Sequence, residues 1–280
     1  MAETAVAQPS LEAKSPFEMR VNLGKDVPET DVRTALANGD MGFLHSYTTG
    51  SAVDGPGIRV VAWTTGCMWR CQYCHNPDTW TLRNGIPVSV AKAAEELGKY
   101  RHGLKVMSGG FTISGGEPLM QDRFVVKLLA ASKRMGIHNT IETNGYYGER
   151  LTDAELATID LVMYGIKTWD PERHLKLTGR EIGPTLEFAR RLAALRKPAW
   201  IRFVLVPGLT DDMEDIATIA RFAASLGNIE RVEVLPFHQM GRFKWKELGI
   251  RYALEGTEPP TPTAVEDACA IFQAEGLKAY

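Results

Sequence analysis

Two textures alternate along the chain from Gly42 onward. Short runs rich in β-branched and aromatic residues occur at 58–65 (IRVVAWTT), 111–114 (FTIS), 139–143 (NTIET), 161–167 (LVMYGIK), 200–206 (WIRFVLV) and 231–237 (RVEVLPF). Between them, apolar residues return every three or four positions in VAKAAEELGKY, RFVVKLLAASKRMG, TLEFARRLAAL and DIATIARFAASLG. The first texture predicts strands, the second amphipathic helices. Ser89 and Asp122 stand where helix N-caps are wanted, and Gly136 and Gly227 follow helix ends. Six strand-then-helix units predict a parallel sheet with right-handed crossovers. Six units are two short of eight-strand closure, so the expected α/β architecture is a partial (β/α)6 TIM-type barrel with outer helices. Residues 1–41, rich in Ala, Glu, Pro and polar residues, read as an N-terminal extension, flexible or loosely docked, with a stub of helix in TDVRTALANGD. Residues 42–280 read as the barrel domain.

In such barrels, chemistry collects just after the strands. Strand one is followed by Cys67, Cys71, Cys74 and His75, and strand two by Ser114, Gly115, Gly116 and Glu117. Strand three ends in Glu142, Thr143 and Asn144, and strand four in Lys167. Strand five carries Arg202, and strand six leads to His238. Polar residues and glycines therefore converge on one rim above apolar strand bodies.

Composition narrows the chemistry. A net charge of −2 over 280 residues gives no polyanion-binding surface, so nucleic acid is not expected as a partner. The N-terminal residues lack the basic start and apolar core of a signal peptide, and no apolar run approaches the roughly 18 residues that cross a membrane. Four cysteines do not make a disulfide framework, which points to a reducing cytoplasm. Three of them fall within eight residues, in TTGCMWRCQYCHNP. Cys269 lies far off in AVEDACAIFQAEG, where a buried apolar cysteine is expected. Structural zinc wants four ligands, and His75 is the fourth donor a zinc reading requires. An iron–sulfur cluster held by three thiolates keeps one iron open, and an open metal position is where ligands bind.

The pattern Cys67-x-x-x-Cys71-x-Tyr73-Cys74, with Gly115-Gly116-Glu117 after the next strand, resembles the signature of radical S-adenosylmethionine enzymes. SAVDGPGIR, GCMWRCQYCHNPDTW, TISGGEPL, ETNG, TLEFA, WIRFVLVPG and VLPFH stand in the order found in glycyl-radical-enzyme activating enzymes, over roughly residues 42–280. Without cysteines for a ferredoxin-like insert, the chain is similar to the short pyruvate formate-lyase type. The resemblance implies one 4Fe–4S cluster on Cys67, Cys71 and Cys74, with S-adenosyl-L-methionine chelating the open iron. It also implies reductive cleavage to a 5′-deoxyadenosyl radical, which takes hydrogen from a backbone glycine of a partner enzyme. The implied partners are a glycyl radical enzyme (pyruvate formate-lyase or a relative) and a flavodoxin or ferredoxin as electron donor, with the chain itself a monomer. Two other readings stay open: another short radical enzyme, such as an activator of anaerobic ribonucleotide reductase, and a non-catalytic zinc or iron–sulfur binding protein.

By the same resemblance, Ser114, Gly115, Gly116, Glu117, Thr143, Asn144, Lys167 and Arg202 contact the cosubstrate, and Tyr73, His75, Asn76 and His238 line the cluster or cosubstrate. Asp54 positions the substrate glycine, with Lys167 and Arg202 beside it as catalytic candidates. Each has a plainer reading: turn residues for Asp54, Thr143 and Asn144, a snorkelling lysine, a core histidine at 238, and a structural salt bridge for Arg202. The relatives hold a monovalent cation with two aspartates. Here Glu142 replaces one and Gly165 the other, and Tyr164 is the expected filler of the vacated space.

Overall fold

The computed structural model describes residues 32–280. Most of the expected extension lies outside them; its helix stub is α1 (Val32–Asn38). The elements continue as β1 (Met41–Ser51), β2 (Arg59–Thr64), β3 (Ile86–Ser89), α2 (Val90–Gly98), α3 (Arg101–Val106), β4 (Gly110–Gly115), α4 (Asp122–Arg134) and β5 (His138–Thr143). Then come α5 (Asp153–Ala157), β6 (Leu161–Tyr164), α6 (Pro171–Thr178), α7 (Gly183–Ala194), β7 (Ala199–Leu205), α8 (Met213–Leu226), β8 (Ile229–Pro236), α9 (Arg242–Glu247) and α10 (Pro262–Ala274).

The sheet order is β3-β1-β2-β4-β5-β6-β7-β8; β2 and β4 through β8 run parallel, side by side in chain order. These are the six strands expected from sequence. Two antiparallel strands extend the sheet at one edge, β1 on β2 and β3 on β1. At the other edge, the backbone amides of Val232 and Val234 donate to Lys278 and Tyr280 carbonyls (2.9 and 2.9 Å), covering β8.

Caps set the helix limits. The Ser89 hydroxyl accepts from the Lys92 amide, and Asp212 accepts from Asp215 while Gly227 ends α8 at φ 70°. Asp122 does not cap α4: it is the first helical residue, where its charge faces the positive helix end, and Gln121 precedes it. Strand alternation separates two environments. Val60, Ala62, Ile113, Ile141, Val162, Tyr164, Ile201, Phe203 and Val232 pack with the outer helices into the main core. The opposite face carries Thr112, Ser114, Thr140, Glu142 and Arg202, so the barrel interior is polar. The sheet is curled as well as open: Arg202 on β7 reaches Asp54 in the β1–β2 loop at 3.5 Å, and His75 after β2 stacks on His238 after β8 at 4.0 Å.

Candidate functional site

The cysteine loop leaves β2 at Gly66, whose φ of 90° suits glycine alone. Its backbone is fixed from three sides. Gly66 donates to Thr79 and accepts from the Glu117 amide (2.7 Å each), while the Arg70 and Gln72 amides donate to Thr178 and Leu177 at the end of α6 (2.7 and 3.1 Å). Trp245 Nε1–H donates to the Cys74 carbonyl at 2.9 Å, and the Arg70 guanidinium to the Cys67 carbonyl at 2.6 Å. Carbonyls that a tight loop would leave bare are thereby satisfied.

Cys67, Cys71 and Cys74 are free and half-buried, with Tyr73, Phe237, Trp245 and Tyr252 in the adjoining apolar cluster. Burial pushes all three thiols up, Cys74 to about 12, with the charge of Cys71 adding to it. Lys167 works the other way on Cys71. Three adjacent thiolates in such surroundings need a compensating metal centre, and this soft donor set suits iron–sulfur chemistry. Among the described residues, no group of three or more His, Cys, Asp or Glu stands at metal-holding spacing. Cys269 is buried on α10 in the main core and takes no part. The buried Tyr73 hydroxyl has no partner among the described residues, which leaves one donor for a bound group.

The glycines after β4 serve the loop. A Cβ on Gly116 would stand 2.4 Å from the Gly66 carbonyl oxygen, and one on Gly115 2.3 Å from the Thr64 backbone. Ser114 donates to Glu142 at 2.6 Å. Glu117 is fully buried, and its carboxylate accepts from the Leu119 amide, the Thr143 hydroxyl and the Asn144 amide (2.9, 2.6 and 2.7 Å). It ties the ends of β4 and β5 together, and burial pushes it up to about 7. Asn144 in turn reaches the Met68 sulfur at 3.6 Å, joining the β5 end to the cysteine loop.

Arg202 is the hub of the interior. Its guanidinium donates to Glu142 (2.7 Å) and the Val53 carbonyl (3.2 Å), and lies 3.1 Å from Glu233 and 3.5 Å from Asp54. Its structural salt bridges are therefore present, and they bring Asp54 and Glu142 to one side chain. Behind them Arg59, fully buried, donates to Thr112, Thr140 and three carbonyls, while the Thr112 hydroxyl holds the Asp54 carbonyl at 2.6 Å.

His75 Nε2–H donates to the His238 carbonyl at 3.1 Å, and burial, then His238, pushes His75 down to about 4. His238 Nδ1 accepts from the Met240 amide (3.4 Å), which fixes its tautomer. Asn76 accepts from Lys244 at 2.9 Å. Tyr164 does not fill the space beside Gly165: it points the other way, into the helix-facing core. Lys167 fills it, since a Cβ on Gly165 would stand 2.4 Å from the Lys167 Nζ. With Glu142 bonded to Arg202 and Ser114, and an ammonium where a second carboxylate would stand, the residues do not fit a bound monovalent cation.

Trp245, Arg70, Arg59 and Lys244 are functional supports that the sequence reading missed. The alternating aromatic and basic residues of RFKWKE, which hold two of them, Lys244 and Trp245, are the one local signal that could have found any.

An open partial barrel with three cysteines after its first parallel strand and a glycine turn pressed against them defines a class. Residues 61–222 match the Radical SAM superfamily, and the chain belongs to it. It is similar to the "Pyruvate formate-lyase-activating enzyme" of Listeria monocytogenes serovar 1/2a, 42% identical over 245 residues covering 85% of this chain and 98% of that one. The protein of the same name from Staphylococcus epidermidis is 42% identical over 243 residues, covering 84% and 96%. Among solved structures, a domain of pyruvate-formate lyase-activating enzyme from Bacteroides vulgatus superposes with a TM-score of 0.51 at 24% identity, over 61% of this chain and 98% of that one, which supports the fold.

Proposed function

We propose that this protein activates a glycyl radical enzyme, pyruvate formate-lyase or a relative, by radical S-adenosylmethionine chemistry. Cys67, Cys71 and Cys74 would hold a 4Fe–4S cluster, which supplies the electron that cleaves bound S-adenosylmethionine to methionine and a 5′-deoxyadenosyl radical. That radical takes one hydrogen atom from the partner's glycine, leaving 5′-deoxyadenosine and a glycyl radical. The protein's own work is placement. The Gly115–Gly116 turn and Glu117 lock the cysteine loop against β4 and β5. Lys167, beside Cys71 and Tyr73, presents a cation toward the cosubstrate carboxylate. Arg202 holds Asp54 at the inner wall, where the partner's glycine would enter. Neutral His75 and His238 stack beside Cys74 without adding charge.

The observation that carries this reading is the combination of 42% identity over 245 residues with a cysteine loop clamped by the glycine turn. An activator of anaerobic ribonucleotide reductase and a zinc-binding protein lack that support. Anaerobic reconstitution with iron and sulfide, followed by reduction, tests it: 5′-deoxyadenosine must form in wild type. Cys71→Ala must lose both the iron and the cleavage, and a variant keeping both would remove the ligand assignment. The chain has no helix long and apolar enough to cross a membrane among its described residues. A reducing, anaerobic cytoplasm suits the exposed chemistry of three free thiols.

A further inference from the structure

The segment from Met240 to Arg251, MGRFKWKELGIR, builds a surface that the chemistry above does not use. Met240 is 75% exposed, Phe243 44%, and Leu248 and Ile250 38% each, a run of exposed apolar side chains around α9. Arg242, Phe243, Lys246, Ile250, Arg251 and Tyr252 line an open hollow of about 650 Å³ there. Arg242 pairs with Glu255 and Lys244 with Asp78, while Lys246 and Arg251 are exposed with no anionic partner among the described residues. In a chain whose net charge is −2, this is a basic patch with an apolar centre.

Its floor leads to the cysteines. Tyr252 packs at a tilt against Trp245 with ring centroids 5.0 Å apart, and Trp245 donates its indole N–H to the Cys74 carbonyl at 2.9 Å. Trp80 packs edge-on against the other side of Trp245 at 5.1 Å. Two aromatic side chains thus separate the exposed hollow from the backbone of a cluster ligand. A face built for one-electron entry needs these properties: a short, rigid, low-dielectric path, a small apolar contact and a rim of one charge sign that steers the incoming protein.

We propose that the α9 face is the docking surface for the electron donor, a small acidic redox protein whose exposed cofactor edge meets Phe243 and Ile250 while its carboxylates meet Lys246 and Arg251. This rests on the proposed function, which requires one electron per cleavage. The basic rim excludes a basic partner, and contacts of this kind are small and weak, as turnover with a recycling donor demands.

The test uses reconstituted holoenzyme and two reductants: dithionite, which needs no docking surface, and an acidic flavodoxin reduced to its hydroquinone. In the Lys246→Glu, Arg251→Glu double variant, the flavodoxin concentration giving half-maximal 5′-deoxyadenosine formation should rise about tenfold or more, and its salt dependence should flatten. The dithionite-driven rate should match wild type. Calorimetric titration with oxidised flavodoxin should show binding to wild type and loss of it in the double variant, whether or not cleavage occurs. Equal flavodoxin dependence and equal binding in wild type and variant would overturn the proposal. So would a variant that cleaves S-adenosylmethionine normally with either reductant but fails to install the glycyl radical, because the face would then serve the protein substrate. Absence of cleavage in wild type with dithionite would strike the proposed function instead, leaving the titration to decide the surface.

Discussion

Replacing Arg202 with Met isolates the electrostatic core of the barrel. The side chain is 13% exposed and faces Glu142, Asp54 and Glu233, themselves 24, 9 and 15% exposed. Methionine keeps most of the packed stem and removes the cation. Breaking a buried ion pair from one side leaves uncompensated charge and costs about 3–5 kcal/mol. Burial already pushes Asp54 and Glu233 up; Glu142 is held below its ordinary value because Arg202 and Ser114 outweigh burial. Without the guanidinium, Asp54 and Glu233 rise further and Glu142 loses the main group that holds it down. An acid raised in the folded state costs stability above its unfolded value, and the cost grows until pH passes the folded value. The deficit of Arg202→Met against wild type should therefore be largest near pH 8 and shrink toward pH 5, as the carboxyls take up protons. Urea denaturation at pH 5, 6, 7 and 8 measures it. Arg202→Lys, which keeps the charge but not the fork, should fall between the two. A deficit below about 1 kcal/mol, or one flat across that range, would refute the hub.

Gly116→Ala drives a methyl into the Gly66 carbonyl and should cost about 1–3 kcal/mol with iron loading reduced in proportion; Gly179→Ala, at φ 76° in open space, should cost about 1–2 kcal/mol and leave iron content unchanged. Glu117→Gln turns an amide donor toward groups that themselves donate, so thermal unfolding should show a loss of about 1–3 kcal/mol at neutral pH. Because burial raises Glu117 to about 7, wild type should gain stability as pH falls from 7 toward 5, a gain the Gln variant lacks. Gly165→Asp competes for the space that the Lys167 ammonium fills, and the KM for S-adenosylmethionine should rise at least tenfold with little change in stability.

The six parallel strands were legible because each alternates or runs apolar between glycines and helix caps. β1 was not: its register shifts between Leu44 and Ser46, and again between Thr49 and Ser51, so its burial never alternates, and polar MGFLHSYTTGS hides the strand. β3 is four residues with a proline, too short for any period. In LVMYGIK both faces of the strand are buried, which erases the parity signal. The pattern therefore does not tell which way Tyr164 points, and it faces the helices. The cysteines, glycine turn and strand-end residues declared themselves through local spacing. Partners joined only by the fold did not: Arg202 with Asp54 and Trp245 with Cys74 meet from distant parts of the chain.

The central claim is that this chain makes a radical and passes it to a protein glycine. Electron paramagnetic resonance of pyruvate formate-lyase, after anaerobic incubation with reduced holoenzyme and S-adenosylmethionine, tests it most directly. The account predicts a glycyl radical signal that grows with 5′-deoxyadenosine and is absent with Cys71→Ala. 5′-Deoxyadenosine formed without any radical on this enzyme or a related glycyl radical enzyme would contradict it.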